Sequence, residues 1–380
     1  MTDAPNLPLA GVRVLDCSRV LAGPFATMLL ADLGADVIKI EPPDGDESRA
    51  WGPPWWGDPA DRRSAYFAAV NRNKRSVVVD LRTDDGRAVL DGLAASADLL
   101  VHNYRPGTAE RLGLGTDALA ARHPRLIVAS VGGFPGADAE RPAYDLLAQA
   151  VSGLMAVTGE PDRPPVKVGV AVLDLIAGLE CAVGALAVLA GRGRRSAAVA
   201  SVEVSLVEAG VTSLINVLGN HLASGVEPGR HGSAHPNIAP YQAFAARDGE
   251  LVIAVGNDAQ FTRLLGVLGL EDPGGLYAGN SGRLARREEL VAWLRDAVAL
   301  RDRDELVAAL AAADVPAGPV NSVGEALAAM EAAHPDGWVE EGDGLRTAPT
   351  PIRVAGHRPA MRLPPPRLGE HTDEILRSGW

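Results

Sequence analysis

The chain has 380 residues, of which 47% are hydrophobic and 22% charged, and a net charge of −12. That length and apolar content suit a soluble globular enzyme of one large domain or two. The acidic balance argues against broad binding to nucleic acid or anionic membrane, so an anionic ligand needs a local basic pocket. Cys17 and Cys181 read as small apolar core residues rather than a disulfide framework, and a reducing cytoplasm is the expected compartment. Residues 1–6 lack the basic and apolar regions of a signal peptide. The longest apolar stretch, Leu175 to Ala190, is interrupted by Glu180 and reads as too short to span a bilayer.

In chain order, Val12–Ser18 reads as a strand. Pro24 opens a helix through Leu30, stopped by Gly34, and Asp36–Glu41 is the next strand. This βαβ unit points to a parallel sheet. Residues 41–59 are rich in Pro and Gly, carry Trp51, Trp55 and Trp56, and read as a long functional loop packed against something. Ser76–Leu81 is a strand, Thr83 caps a helix to about Ala95, Asp98–Asn103 is a strand, a short helix follows Gly107, and Leu126–Val131 is a strand. The alternation predicts a Rossmann-like α/β layer, without the GxGxxG of a nicotinamide site. A buried helix follows from Asp174 to about Ala190, then a strand at Ala200–Ser205 and a helix over Leu206–Leu222. From 224 the composition changes. A loop with two histidines leads to a hairpin over Tyr241–Val255 that turns at Asp248-Gly249. Helices near 258–269, 283–300 and 303–313 and an edge strand at Pro316–Val320 complete a smaller α+β domain. The tail from Leu363 reads as polyproline-like, draped over another surface.

The chemistry concentrates between Arg141 and Asp174. A lone carboxylate, Asp174, stands at the start of a long apolar helix, where the helix dipole favours the ionised form by about 0.3–1 kcal/mol. Its ordinary alternative is a plain helix cap. Tyr144-Asp145 precedes another helix, and Asp145 is equally readable as a cap or as a residue ordering a pocket. Asn71-Arg72-Asn73-Lys74-Arg75 is a basic cluster between a loop and a strand. No His, Cys or Asp spacing suggests a metal site, and no P-loop or GxSxG motif is present.

Seven segments in order resemble the family III CoA-transferases, the group of formyl-CoA transferase and carnitine CoA-transferase, in a superfamily shared with alpha-methylacyl-CoA racemase. They are Leu9–Asp16, Leu21–Pro24, Leu33–Glu41, Asn71–Ser76, Asn103–Gly107, Tyr144-Asp145 with Gln149, and Gly369–Thr372. The resemblance covers nearly the whole chain. It implies an interlocked homodimer, each subunit with a Rossmann-like large domain (1–223), a small domain (224–335) and a return segment (336–380). It implies coenzyme A and acyl-CoA as substrates with a carboxylic acid acceptor, and no tightly bound cofactor.

It also implies roles. Asp174 matches the nucleophilic aspartate that carries covalent intermediates, with Asp145 and Tyr144 beside it. Val20, Leu21 and Ala22 would face the pantetheine arm or an oxyanion. Arg72, Asn73, Lys74 and Arg75, with Asn103, Arg105 and Arg111, would hold CoA phosphates and adenine. Leu21 replaces a Gln found in formyl-CoA transferase, which hints at a less polar acyl group. The racemase pattern has a His where this chain has Tyr144. A phenol titrating at about pH 10 is a poor base, so transfer is favoured over racemisation. A racemase and a CoA-binding protein without turnover remain the alternatives. The loop Gly232–Tyr241 resembles a lid, or equally a domain linker.

Overall fold

The computed structural model describes residues 7–192, 201–334 and 338–380. They form two compact units, one of residues 1–154, 168–214 and 334–380, the other of residues 155–167 and 215–333. Three expectations touch residues outside the description: the signal-peptide reading of 1–6, the start of a strand at Ala200, and the 335/336 boundary.

The first unit carries β1 (Arg13–Asp16), β2 (Asp36–Glu41), β3 (Lys74–Val78), β4 (Leu99–His102), β5 (Ile127–Gly132) and β6 (Ser201–Ser205). Their order is β3-β2-β1-β4-β5-β6, and every neighbouring pair is parallel. This is a doubly wound sheet whose strand order reverses between β1 and β4. Val14, Val37, Leu99 and Ile127 face one side, against α1 (Ala22–Asp32). Leu15, Ile38, Leu100 and Val128 face the other, with Leu90 and Leu93 of α2 (Asp84–Ala94). Burial on both faces is why these strands read as continuous apolar runs. Thr83 caps α2 as its sequence predicts, its hydroxyl accepting the Gly86 N–H at 3.0 Å.

Two further helices complete the site-bearing end, α3 (Asp145–Val151) and α4 (Val172–Gly191). Helix α4 buries Leu173, Ala177, Gly178, Cys181, Ala182 and Ala185. These residues are mostly small, so α1 approaches closely. A Cβ on Gly178 would lie 2.6 Å from the Ala22 carbonyl oxygen. The expectation that this stretch is too short for a membrane needs correction. The helix starts at Val172 and runs 20 residues, enough by length and composition to cross one. Its packing against α1 and the sheet makes it this unit's core helix.

The helix predicted over Leu206–Leu222 is two, α5 (Leu206–Ser213) and α6 (Ile215–Ser224), the second opening on Ile215 at φ 40. A β-branched residue in the left-handed region breaks the helix. The chain passes to the second unit there, at 214/215 rather than 223/224. Residues 155–167 also belong to the second unit, and the return begins at 334. The second unit holds the hairpin β7 (Tyr241–Ala245) and β8 (Glu250–Ala254), with β9 (Ala317–Pro319) on the free edge of β8. Its core takes Phe261 and Leu264 from α7 (Asp258–Leu268), Leu290 and Leu294 from α8 (Arg287–Val298), and Leu306 and Leu310 from α9 (Arg303–Ala312). Helix α10 (Val323–Ala333), the small hairpin Glu340–Gly342 with Leu345–Thr347, and α11 (Thr372–Ser378) were not expected.

The return segment closes the outer edge of β3. Asn73 Oδ1 accepts the N–H groups of Arg362 and Leu363 at 2.6 and 2.9 Å. The Ser76 N–H reaches His371 Nδ1 at 3.3 Å, and the Val78 N–H reaches Thr372 Oγ1 at 3.1 Å. The tail therefore satisfies donors that an edge strand would otherwise expose.

Candidate active site

In a doubly wound sheet the binding crevice lies beyond the strand carboxyl ends, where the order reverses. A cavity of about 280 Å³ occupies that position in the first unit. Arg19–Ala22 border it after β1, Asn103–Arg105 after β4 and Val131–Gly133 at the end of β5. Arg141–Tyr144 and Asp174 close the remaining side. The structure thus brings Val20, Leu21, Ala22, Asn103, Arg105, Tyr144 and Asp174 together at one cavity.

Asp174 is the third residue of α4, one turn before Gly178. Residues four apart share a helix face, so Asp174 lies on the side that packs against the start of α1. Burial, and then the neighbouring Asp145 carboxylate, push its carboxyl up to about 7. The expectation that the helix dipole keeps it fully ionised is corrected, because desolvation outweighs the dipole here. Asp145 sits behind the cavity, buried. Its carboxylate accepts the Leu173 N–H at 2.8 Å, the Asp174 N–H at 3.4 Å and Gln149 Nε2 at 2.6 Å. Asp145 therefore caps α4 from α3. Gln149 Oε1 takes the Val168 N–H at 2.9 Å, which ties the approach to α4 onto the same pair. Tyr144 is 60% exposed and borders the opening.

Between β1 and α1 the chain turns in five residues, and the middle three, Ser18, Arg19 and Val20, are pinned. The Ser18 N–H bonds Asp16 Oδ1 at 3.0 Å, and the Ser18 carbonyl accepts Lys39 Nζ at 2.8 Å. Asn103 clasps the Arg19 backbone, accepting its N–H at 3.0 Å and donating to its carbonyl at 2.7 Å. The Val20 N–H donates to both oxygens of Asp46 at 3.2 Å. Val20 has φ 69, a conformation that costs about 1–3 kcal/mol outside glycine. Helix α1 has no side-chain cap. Among the described residues none accepts the N–H of Leu21, Ala22 or Gly23. The positive end of α1 is thus unsatisfied beside Asp174.

The basic cluster is placed otherwise than its sequence suggests. Lys74 is fully buried and donates to Asp16 Oδ2 at 2.9 Å, Asn71 Oδ1 at 2.9 Å and the Pro24 carbonyl at 2.8 Å. Arg72 pairs with Asp32 at 2.5 Å, and Asn73 Nδ2 donates to the same carboxylate at 2.8 Å. Arg75 spans Asp36 and Glu374 at 2.9 and 3.1 Å. These four side chains hold the fold together, and none borders the cavity. Arg111 is exposed, bonded to Thr108 at 2.8 Å, and also lies off the cavity. Positive charge at the cavity comes from Arg19, Arg105 and Arg141 instead. Arg19 lies 5.0 Å from the Tyr104 ring and 3.3 Å from Glu47. The Arg105 guanidinium donates to the Glu140 carbonyl at 3.0 Å, and Arg141 sits 4.1 Å over Phe134.

Sequence reasoning gave no role to Arg19, Asp46 or Tyr66, nor to Arg141, although the stretch it singled out begins at Arg141. Arg19 directly precedes the singled-out Val20–Ala22, and that adjacency was the available signal. Tyr66 meets Trp51 edge-on, ring centroids 5.0 Å apart, so the tryptophan loop packs as expected. Burial, with the charges of Asp174, Asp145 and Asp46, pushes the Tyr66 phenol up to about 12. It therefore stays a neutral donor.

Residues 9–372 match CoA-transferase family III. The chain belongs to that family. It is 39% identical to the succinate–glutarate CoA-transferase of Agrobacterium fabrum, over 99% of this chain and 97% of that protein. It is 37% identical to the acetyl-CoA:oxalate CoA-transferase of Acetobacter aceti, over 96% and 94%. A crystal structure of a CAIB/BAIF family protein from Brucella suis matches it with a TM-score of 0.84 at 40% identity, covering 99% of this chain and 100% of that one. As a family III CoA-transferase, the enzyme moves coenzyme A between an acyl-CoA thioester and a carboxylic acid. The α/β fold and the sequence resemblance agree on this family.

Proposed function

We propose that transfer runs through Asp174 as a covalent carrier, with small dicarboxylic acids as the acids exchanged. The observation that carries the reading is a single carboxyl, poised at about pH 7, at the unsatisfied N-terminus of α1 in the crevice cavity. An Asp174 oxygen attacks the thioester carbonyl, the C–S bond breaks, and CoA leaves as thiolate from a mixed anhydride. The thiolate attacks the aspartyl carbonyl, giving an aspartyl-CoA thioester and releasing the donor carboxylate. The acceptor carboxylate then attacks that thioester. CoA thiolate leaves again, attacks the acceptor acyl carbon and frees Asp174. Each anhydride is formed at the expense of one thioester and consumed in making another, so the overall exchange is near balance and a hard transfer is divided into easier ones. The N–H groups at the start of α1 supply the charge stabilisation that the Leu21 side chain cannot.

The dicarboxylate reading rests on Arg19, Arg105 and Arg141 at the cavity and on succinate, glutarate and oxalate in the names of the two relatives, one of which also names acetyl-CoA. It sets aside the less polar acyl group suggested by Leu21. The same guanidinium groups, with the Val20–Ala22 and Asn103 backbone, would receive the CoA pyrophosphate. We place the enzyme in the cytoplasm as a homodimer. The apolar residues Leu146, Leu147 and Val151 of α3 and Leu179 and Val183 of α4 stand exposed in one chain, as a face awaiting a partner does.

The test combines succinyl-CoA with glutarate or oxalate, and with butyrate as a monocarboxylate control. The expected result is glutaryl-CoA or oxalyl-CoA formation, little butyryl-CoA, and a mass adduct on the peptide carrying Asp174 that hydroxylamine removes. Transfer without any adduct in D174N and parent alike would overturn the covalent route. Equal use of butyrate would overturn the dicarboxylate reading.

A further inference from the structure

Asp46 does not line the cavity, yet it is buried in a dense network of polar contacts. Its side chain is 1% exposed and lies 3.0 Å from Lys39 Nζ. Besides the Val20 N–H, it accepts the Ser48 N–H at 2.9 Å and the Ser48 hydroxyl at 2.7 Å. Its own N–H donates to Glu41 Oε2 at 3.1 Å. Glu41 is in turn fixed by Arg49 at 2.7 Å and by the Ser76 hydroxyl at 2.6 Å. Lys39 also holds the Ser18 carbonyl, so the same buried pair grips the turn at two points.

Val20 needs that grip. A β-branched residue at φ 69 reverts to the extended region unless its surroundings forbid it, and among the described residues only Asp46 accepts its N–H. Reversion would rotate the peptide planes on either side of Leu21, and these carry the free N–H groups beside Asp174. From this geometry we infer that Asp46 is a positioning residue for CoA transfer, holding the Val20–Ala22 turn so that the unsatisfied N–H groups of α1 face the reacting carbonyl. The inference rests on the function proposed above. Asp46 acts through the Val20 backbone that it bonds directly, Lys39 holding the Ser18 carbonyl beside it, and it lines no part of the cavity.

The test is a double-mutant cycle of D46N with V20G, because glycine adopts the left-handed region without strain. D46N lowers kcat about tenfold or more, while the KM for acyl-CoA moves less than about threefold. In the V20G background the same D46N change costs less than about threefold. A crystal structure of D46N shows Val20 out of the positive-φ region. Should D46N fail to fold, the milder S48A, which removes one of the bonds orienting Asp46, enters the same cycle with a smaller kcat loss that V20G again absorbs. The inference is overturned if the variant keeps parent kcat. It is equally overturned if the loss is undiminished by V20G, as it would be were Asp46 merely the counter-ion of Lys39. If the parent enzyme transfers CoA between no tested pair, the function reading fails. The Val20 backbone in the D46N crystal then decides the hold of Asp46 on the turn by itself.

Discussion

At Asp174, stability and activity pull in opposite directions. Its carboxyl titrates at about 7 folded, against 3.8 as the ordinary value. Between those limits the folded chain binds more protons than the unfolded one, so stability falls as pH rises from about 4 to about 7. D174N removes that dependence. Thermal melts should show the variant more stable than the parent above pH 7, with the difference vanishing below about pH 4. Transfer should fall by about a thousandfold or more, read from CoA exchange rates. Because the Asp145 charge contributes to the shift, D145N should move the acid limb of kcat/KM toward lower pH, and a pH–rate profile checks it. The position of Asp174 in the first turn of a helix was legible in the sequence. Its protonation was not, because the opposing carboxylate arrives from 29 positions earlier. The same blindness made Arg72 and Lys74 look like holders of the CoA phosphates. Nothing local shows that Asp32 and Asp16 lie beneath them.

Among the elements, the contact between α1 and α4 brings Asp174 to the cavity at the start of α1. Gly178 has no room for a methyl group, the obstacle being backbone rather than a side chain that can turn aside. G178A should push α4 away from Ala22, lower stability by about 1–3 kcal/mol in denaturant titrations and reduce kcat more than it changes KM. Most elements declared themselves where local chemistry decides. Examples are the Thr83 cap, the Asp248-Gly249 hairpin and the apolar strands buried on both faces. Helix α10 was missed although its signal was there: Ser322 and Glu325 form a capping box, the Ser322 hydroxyl accepting the Glu325 N–H at 3.2 Å and Glu325 Oε2 the Ser322 N–H at 2.7 Å. Other elements lack such signals, and the break before Ile215 interrupts a run that is helical on either side. The crossover of residues 155–167 depends on distant packing.

For the whole molecule, the strand order explains why one cavity gathers residues from widely separated segments. Reversal between β1 and β4 parts their crossover helices and leaves a crevice between the two following loops. The proposed second copy would seat on the exposed apolar residues of α3 and α4. L179D with V183D should shift sedimentation toward monomer and lower activity per chain, whereas an unchanged sedimentation coefficient would dismiss that face. Strand β3, finally, is shielded by residues 295 positions downstream of Ser76. At ribosomal speeds of about 5–20 residues per second, that is a delay of roughly 15–60 seconds. Throughout it the nascent sheet presents a raw flank open to pairing with neighbouring chains. Crowded expression should accordingly favour inclusion bodies, and slower production in the cold, or a chaperone that covers the flank, should raise the soluble yield.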